Sequence, residues 1–263
     1  MMWIGFVAAV LIGITLGLIG GGGSILTVPV LVYLFGLNPF LATTYSLFIV
    51  GSTSLIGSIS YFKQRFVNLN TVFGFGIPSI IAVLLTRAFI LPAIPTVIGS
   101  LGAFQITKEV AMLLLFALVM ILAASKMIRG KAPKKQTSVE KNAFTKLIVR
   151  GSLVGAVTGL VGAGGGFLII PALVLMSRLP MKEAIGTSLV IISINSAVGF
   201  LASMSQSIID WKFLLTLTSF SILGIFLGIA LSKRIEGAKL KPAFGWFVLV
   251  MGIYILLKEI FLT

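Results

Sequence analysis

The sequence predicts an all-α integral membrane protein made of two inverted-topology repeats, with short or broken helices after two glycine runs. Three observations lead to this prediction. Of the 263 residues, 58% are hydrophobic and only 10% are charged, whereas a soluble domain carries about 25% charged residues. The apolar residues lie in long blocks, most of them close to the roughly 20 residues that cross a bilayer. The second half of the chain also repeats the first at a constant offset of 142 residues.

The apolar segments fall into two sets of five, which we expect to be the helices of the two repeats. The first set covers 3–19, 25–36, 40–62, 67–86 and 109–128, and the second covers 146–162, 167–177, 184–204, 211–232 and 243–262. Two of them, 25–36 and 167–177, are too short to cross about 30 Å of hydrocarbon as ordinary helices. No charge precedes the first segment, so we expect that segment to be retained and not cleaved as a signal peptide.

Basic residues mark the connections that we expect on the cytoplasmic side, where positive residues are retained. The longest is a basic connection at 129–145, which separates a first repeat at 1–128 from a second repeat at 146–263. Two shorter connections contain Lys63 with Arg65 and Lys233 with Arg234. Each repeat then makes an odd number of net crossings, so the repeats are inverted and both termini are exterior. We expect a multi-pass protein of a cell membrane, the cytoplasmic membrane of a prokaryote.

The repeat is clearest at residues 7–68, which align with residues 149–210 without a gap. GLIGGGGSILTVPVLV at 17–32 lies over GLVGAGGGFLIIPALV at 159–174, and about 19 of the 62 aligned positions are identical. Hydrophobic bias alone does not produce coincident glycine runs and prolines, so the sequence indicates a duplication. Inverted repeats with interrupted helices in matching positions point to a transporter site near the bilayer midplane.

The two glycine runs, at 20–23 and 162–166, each interrupt an apolar stretch. Each glycine in a helix costs about 1 kcal/mol relative to alanine. Irregular backbone at membrane depth is tolerated only inside protein or against a wet cavity. Such a break frees N–H groups at the start of the short helix that follows, and a helix N-terminus suits an anion. The alternative is that the glycines only let neighbouring helices pack closely.

We therefore predict a substrate-binding site for an anion at the two glycine runs. Its predicted residues are Gly22, Gly23, Ser24, Gly164, Gly165 and Gly166, with Ser46, Ser188 and Asn195 nearby. Hydroxyl and amide groups can bind an oxyanion without the tight grip of a buried lysine, although hydrogen bonding between helices is a rival role for each. Arg87 is expected at the exterior end of its span, as a snorkelling anchor or a charge at the entrance.

The remaining composition argues against an enzyme. The chain has no cysteine and no histidine, so it lacks a thiolate, the commonest general base and the commonest metal ligand. No two of its six carboxylates are close enough in sequence to suggest a catalytic pair. We predict no catalytic residues, no metal and no cofactor. The formal charge of +14 is explained by membrane topology, so we expect no nucleic-acid partner.

The doubled motif, GLIGGGGSILTVP and GLVGAGGGFLIIP, is followed in each half by Ala-x-x-x-Ser-Leu, and Ile209-Asp210-Trp211 stands in the second half. In these features the chain resembles the sulfite exporter TauE/SafE family over nearly its whole length. The resemblance implies export of a small sulfur oxyanion or organosulfonate, such as sulfite or sulfoacetate. Ser24 stands where the second half has Gly166, so the two halves of the site need not be equivalent.

A secondary anion transporter is therefore the leading hypothesis for function. An anion channel of the same architecture is the first alternative, and a membrane-embedded enzyme or chaperone is the second. Neither glycine run continues into Gly-Lys-Ser/Thr, so no nucleotide-binding motif is present. The expected partners are a small anionic substrate and the lipid bilayer, with a homodimer left open as an alternative to a monomer.

Overall fold

The computed structural model describes residues 2–95, 97–101, 104–129, 143–161, 166–177, 179–204 and 208–261. In the first half the helices are α1 (Met2–Ile19), α2 (Gly22–Pro29), α3 (Pro39–Lys63), α4 (Leu69–Ala93) and α5 (Lys108–Arg129). In the second half they are α6 (Ala143–Val161), α7 (Gly166–Pro171), α8 (Met181–Met204), α9 (Trp211–Arg234) and α10 (Gly237–Phe261). The predicted connection at 129–145 lies mostly outside the described residues.

Five of these helices are long and apolar enough to cross a membrane: α3, α4, α8, α9 and the part of α5 from Val110 to Arg129. Large apolar side chains such as Leu55, Phe73 and Leu223 are more than half exposed on their outer faces. In water such faces would drive aggregation, whereas lipid tails solvate them. The prediction of an all-α integral membrane protein is thereby confirmed.

The structure adds two features to the predicted elements. Helix α4 continues to Ala93, seven residues beyond the predicted end at 86, and it contains two π-helical stretches, Val72–Gly76 and Thr86–Ile90. A small antiparallel hairpin, β1 (Val97–Leu101) and β2 (Phe104–Thr107), follows it. This hairpin accounts for most of the length by which the first half exceeds the second.

Polar caps fix the starts of several helices. Asn38 Oδ1 accepts a hydrogen bond from Phe40 N–H at 2.7 Å, with Pro39 as the first residue of α3. Asp210 accepts from Phe213 N–H at 3.1 Å and begins α9 in the same way. Such side chains satisfy N–H groups that a helix leaves without a partner in its first turn. The carboxylate of Asp210 therefore has a structural role at the end of a span.

The first of the predicted short segments folds back beside the helix that precedes it. A Cβ atom placed on Gly23 in α2 would lie 2.3 Å from Leu16 Cγ in α1, and one placed on Gly5 would lie 2.1 Å from the Phe35 ring. From the first contact to the second, the residue number falls in α1, from 16 to 5, and rises in the segment that follows, from 23 to 35. The two segments therefore form an antiparallel hairpin whose tip is the first glycine run. Gly20 turns this tip with a φ of 79°, a conformation that favours glycine.

The two short helices end at prolines in equivalent positions. Pro29 is the last residue of α2 and Pro171 the last residue of α7, and each is followed by a five-residue π-helical stretch, Val30–Leu34 or Ala172–Met176. Proline lacks the N–H that would continue the regular hydrogen-bond ladder. From Gly22 to Leu34 the helical path is about 19 Å long, shorter than the roughly 30 Å of hydrocarbon. The first segment is thus a re-entrant hairpin.

Contacts between the halves are reciprocal. Helix α1 packs along α9 just as α6 packs along α4, while α3 packs on α8, α5 on α10 and α2 on α7. Gly13 lies against Ser221, and its equivalent Gly155 lies against Ser79, which is the equivalent of Ser221. A two-fold relation between the halves requires such reciprocity.

The directions of the paired helices agree with an axis in the membrane plane. The repeat partners α3 and α8 run antiparallel, since Leu47 lies against Gly199 and Gly57 lies near Leu189. Helices α1 and α9 run parallel. This is the direction expected for these two helices if the two halves are inserted in opposite orientations. The inverted relation of the halves stays a prediction, and these contacts favour it.

Candidate functional site

The predicted site residues lie on four elements. Gly22, Gly23 and Ser24 form the first turn of α2, Gly166 begins α7, Ser46 lies on α3, and Ser188 and Asn195 lie on α8. Gly164 and Gly165 fall outside the described residues. All three predicted polar residues on α3 and α8 are almost completely buried. The fold therefore places the described part of the site inside the protein and not at the lipid surface.

Gly23 has a packing role in addition to any role in binding. A Cβ atom at this position would lie 2.3 Å from Leu16 Cγ and 2.5 Å from the backbone oxygen of Ile12. The carbonyl oxygen of Gly23 also accepts a hydrogen bond from Thr27 Oγ1 at 2.7 Å. For this glycine the alternative of close helix packing therefore applies, because any side chain would separate the two arms of the hairpin.

The tip of the first hairpin contacts the second half directly. A Cβ atom placed on Gly20 would lie 2.8 Å from Ser188 Oγ and 2.9 Å from Ile170 Cδ1. Ile170 is next to the last residue of α7, so α2 and α7 lie side by side and overlap along their lengths. The tip of the first hairpin therefore lies beside Ser188 of α8.

Buried polar atoms without a hydrogen-bond partner in the described structure cluster on α3 and α8. Of the seven such atoms among the described residues, Thr158 Oγ1 and Ser177 Oγ lie elsewhere. The five on α3 and α8 are Ser46 Oγ, Thr53 Oγ1, Ser54 Oγ, Asn195 Oδ1 and Ser196 Oγ. Their residues are 0–1% exposed. Buried polar groups in folded proteins nearly always have partners, and leaving one unpaired costs about 1–3 kcal/mol. Such a concentration on two adjacent helices indicates a place where water or a ligand binds.

The antiparallel register of α3 and α8 arranges these groups as a row across the interior. Ser196 lies opposite Gly51, where a Cβ atom would be 3.0 Å from Ser196 Cβ. Ser46 then lies toward one end of the row and Ser188 toward the other, with the remaining groups between them. The two ends of the row are about twelve helical residues apart, which corresponds to about 18 Å. We call this set, Ser46, Thr53, Ser54, Ser188, Asn195 and Ser196, the polar row. Two of its members do donate hydrogen bonds: Ser188 Oγ to the carbonyl oxygen of Ile185 at 2.8 Å, and Asn195 Nδ2 to Ser79 Oγ at 2.9 Å.

A cavity of about 170 Å³ lies at the end of α3 that we expect to face the cytoplasm. Its lining residues are Tyr61, Gln64, Phe66, Lys182, Ile229, Ser232 and Lys233. The hydroxyl of Tyr61 donates to the carbonyl oxygen of Gly17 at 2.9 Å and lies 2.9 Å from Ser232 Oγ. Because Gly17 precedes the first glycine run by three residues, the cavity ends close to the hairpin tip and Ser188.

The cavity residues were not among the predicted site residues. Lys233 is predicted only to mark a cytoplasmic connection, and Tyr61 and Ser232 belong to no motif. Tyr61 and Ser232 are 171 residues apart in sequence, so only the packing of α3 against α9 brings them together. Tyr61 aligns with Ser203 in the second half. This alignment of two polar residues is the sequence signal that could have pointed to Tyr61.

Arg87 differs from its predicted location. It is 8% exposed and donates from Nη1 to Ser203 Oγ, a short hydrogen bond to the other half of the molecule. Ser203 Oγ in turn donates to the carbonyl oxygen of Gly199 at 2.9 Å. Arg87 is therefore neither a snorkelling anchor nor an exposed charge at an entrance. The π-helical stretch Thr86–Ile90 extends the span and carries this side chain inward.

The arrangement suits transient binding of a negative ion. Hydroxyl groups donate hydrogen bonds without a fixed charge, so they can replace part of an anion's hydration shell and release the ion again. The two lysines at the cavity raise the local concentration of anions through their field. The cavity and the polar row both lie between helices that belong to different halves of the chain.

Comparison with known proteins places the chain in one family. The family model described as sulfite exporter TauE/SafE matches residues 5–255. A probable membrane transporter protein of Xylella fastidiosa (strain 9a5c) is 30% identical over 261 residues, covering 95% of this chain and 92% of the relative. The probable membrane transporter protein YunE of Bacillus subtilis (strain 168) is 26% identical, covering 97% and 99%.

A partial relative is also found in an archaeon. The probable membrane transporter protein MJ0441 of Methanocaldococcus jannaschii is 35% identical over 114 residues, which cover 41% of this chain and 43% of the relative. No solved structure gives a significant match to the chain. The names of the relatives are those of transporters and not of enzymes.

Proposed function

Since this chain belongs to the sulfite exporter TauE/SafE family of membrane transporters, we propose that it carries a small sulfur oxyanion, sulfite or an organosulfonate, across the cell membrane. The observation that most supports an anionic cargo is the polar row. Its unpartnered hydroxyls lie in the membrane interior without an acidic residue among them. A divalent cation would need carboxylate or carbonyl ligands there, whereas hydroxyl donors suit an oxyanion.

The proposed route begins at the cytoplasmic cavity. Lys182 and Lys233 attract the anion, and Tyr61 with Ser232 forms the polar floor of the cavity. The anion then passes the tip of the first hairpin at Ser188 and moves along the polar row to Ser46. The first-turn N–H groups of α2 add the positive end of a helix dipole beside this path.

The two hairpins offer two equivalent stations for the anion. The 142-residue offset makes Ser46 the equivalent of Ser188, and the first glycine run the equivalent of the second. We therefore expect Ser46 to lie beside the second glycine run, as Ser188 lies beside the first. Movement of one half against the other would open one station to the cytoplasm and the other to the exterior. Such alternating access is common in transporters built from inverted repeats, and export is its direction when the cargo accumulates inside the cell.

A channel of the same architecture remains the second candidate. The polar row offers a continuous series of weak sites, and conduction needs binding that is weak enough to release the ion. The cytoplasmic cavity of about 170 Å³ does, however, give way to a row whose residues are 0–1% exposed. These two observations favour a carrier that exposes one side at a time.

Liposomes containing the purified protein test the proposal. Uptake of radiolabelled sulfoacetate should saturate with concentration and should increase when unlabelled sulfoacetate is present on the opposite side. Sulfite should compete with it, and neutral methanesulfonamide should not. Flux that rises linearly with concentration and shows no trans-stimulation identifies a channel. No uptake above protein-free liposomes, for sulfoacetate, sulfite, sulfate or chloride, contradicts the proposed function.

A further inference from the structure

Arg87 is a buried cation that the proposed route does not use. It lies on the π-helical stretch Thr86–Ile90 of α4, and the equivalent helix α9 is regular at the matching positions. Its neighbour Thr86 lies against α6, where a Cβ atom on Gly159 would be 2.7 Å from Thr86 Cβ. Gly159 stands three residues before the second glycine run. Thr86, next to Arg87, therefore lies beside the last turn of α6.

The charge of Arg87 has no carboxylate beside it in the described part of the chain. The ion pair found there is Lys239 with Glu236, an exposed contact at 3.6 Å. The guanidinium has five N–H donors, and the described hydrogen bond to Ser203 uses one of them. An ionisable residue within a membrane span is costly, and it usually marks the path of a substrate or ion.

The repeat shows where on the route this charge lies. Arg87 aligns with Ile229, and Ser203, its hydrogen-bond partner, aligns with Tyr61. Ile229 and Tyr61 both line the cytoplasmic cavity. Arg87 and Ser203 thus occupy, in the other half, the positions that form an open cavity on the cytoplasmic side. There Arg87 joins the two halves through its hydrogen bond to Ser203.

We propose that Arg87 is the exterior binding residue for the anion, and that its hydrogen bond to Ser203 closes the exterior end of the route while the cytoplasmic end is open. This inference rests on the proposed function. The ligand is a small oxyanion whose two oxygens pair with the planar guanidinium, as carboxylates and phosphates do. An arriving anion replaces Ser203 as the partner of Arg87, and the exterior end opens as that contact is lost.

Arg87→Gln tests this role, because the amide is polar but uncharged. Oriented transport is measured in liposomes with a Gln64→Cys background, in which a membrane-impermeant thiol reagent inactivates the copies that expose their cytoplasmic cavity. The concentration of sulfoacetate that gives half-maximal flux from the exterior should rise about 10- to 100-fold, the value of one lost charge-assisted interaction. Half-saturation from the cytoplasmic side should remain unchanged. Arg129→Gln, a substitution in the last turn of α5, is the matched control and should change neither value.

Two further variants keep the test decisive if Arg87→Gln does not fold. Arg87→Lys keeps a charge without the planar pair of donors and should raise the exterior half-saturation less than Arg87→Gln. Ser203→Ala removes the competing partner and should lower it. Sulfoacetate should also stabilise the wild type against heat in phospholipid-free detergent, which excludes lipid phosphate as the ligand, and should stabilise Arg87→Gln less because only the cytoplasmic binding remains.

The outcomes separate this inference from the proposed function. Wild-type protein that moves no anion contradicts the proposed function. Wild-type flux with an unchanged exterior half-saturation in the folded Arg87 variants and in Ser203→Ala contradicts this inference alone. A loss of thermal stability in Arg87→Gln without any change in exterior half-saturation shows that Arg87 only joins the two halves.

Discussion

Alanine at Ser46, Ser54 and Ser196 together is expected to abolish sulfoacetate flux and to leave the folded protein as stable as the wild type. The three hydroxyls are fully buried and have no hydrogen-bond partner in the described structure. A buried hydroxyl without a hydrogen-bond partner costs about 1–3 kcal/mol. Because its removal relieves this cost, the free energy of unfolding should not fall. A bound anion would lose three charge-assisted hydrogen bonds, each contributing about 1.5–3 kcal/mol.

Ser221→Ala is the matched control for this triple variant. Ser221 is equally buried, but its hydroxyl donates to the carbonyl oxygen of Ala9 at 3.0 Å. Its removal should lower the thermal midpoint and leave the half-saturation for sulfoacetate unchanged. Flux and thermal unfolding are measured on the same preparations. Normal flux in the triple variant, or its destabilisation, would show that the three hydroxyls serve helix packing and that the anion passes elsewhere.

Leucine at Gly13 or at Gly155 is expected to prevent folding of the chain in the membrane. A Cβ atom on Gly13 would lie 2.0 Å from the backbone oxygen of Ser221, and one on Gly155 would lie 2.3 Å from that of Ser79. Both neighbours are helix backbone, which cannot rotate away. Helix α1 must then separate from α9, or α6 from α4. The cost should exceed the roughly 1–3 kcal/mol typical of an overpacked core.

Gly99→Leu is the control for these two variants, because a Cβ atom at Gly99 has nothing within 4 Å. It should give a monodisperse peak in detergent with the thermal midpoint of the wild type. Gly13→Leu and Gly155→Leu should both aggregate or fail to accumulate, and to the same degree, since they occupy equivalent positions. Tolerance of either substitution would contradict the close packing of α1 on α9 or of α6 on α4.

Most of the helical framework could be predicted from the sequence, because lipid demands long apolar runs and the runs are unmistakable. The segments predicted at 40–62 and 211–232 are α3 and α9 within two residues at each end. Helix α4 was predicted too short because Arg87 was taken as the end of the span. The structure instead buries this charge against Ser203, a contact between residues 116 positions apart.

The site was only partly predictable, for a physical reason. The repeat indicated that Ser46 and Ser188 are equivalent, and both are buried. The sequence alone did not show that Gly23 faces Leu16 or that the first hairpin tip contacts Ile170. Those distances depend on how the two halves overlap. Residues without a motif, such as Tyr61, become part of a cavity only through that overlap.

An anion that crosses the membrane along the polar row must pass Ser54, so a single cysteine at this position tests the route. The native chain has no cysteine, so Ser54→Cys provides one thiol near the centre of the row. A charged, membrane-impermeant methanethiosulfonate should modify it from the cytoplasmic side and from the exterior, and sulfoacetate should slow both reactions. If the thiol of a folded, transporting Ser54→Cys protein stays unmodified from either side, or reacts at a rate that sulfoacetate does not alter, the anion does not pass along this row.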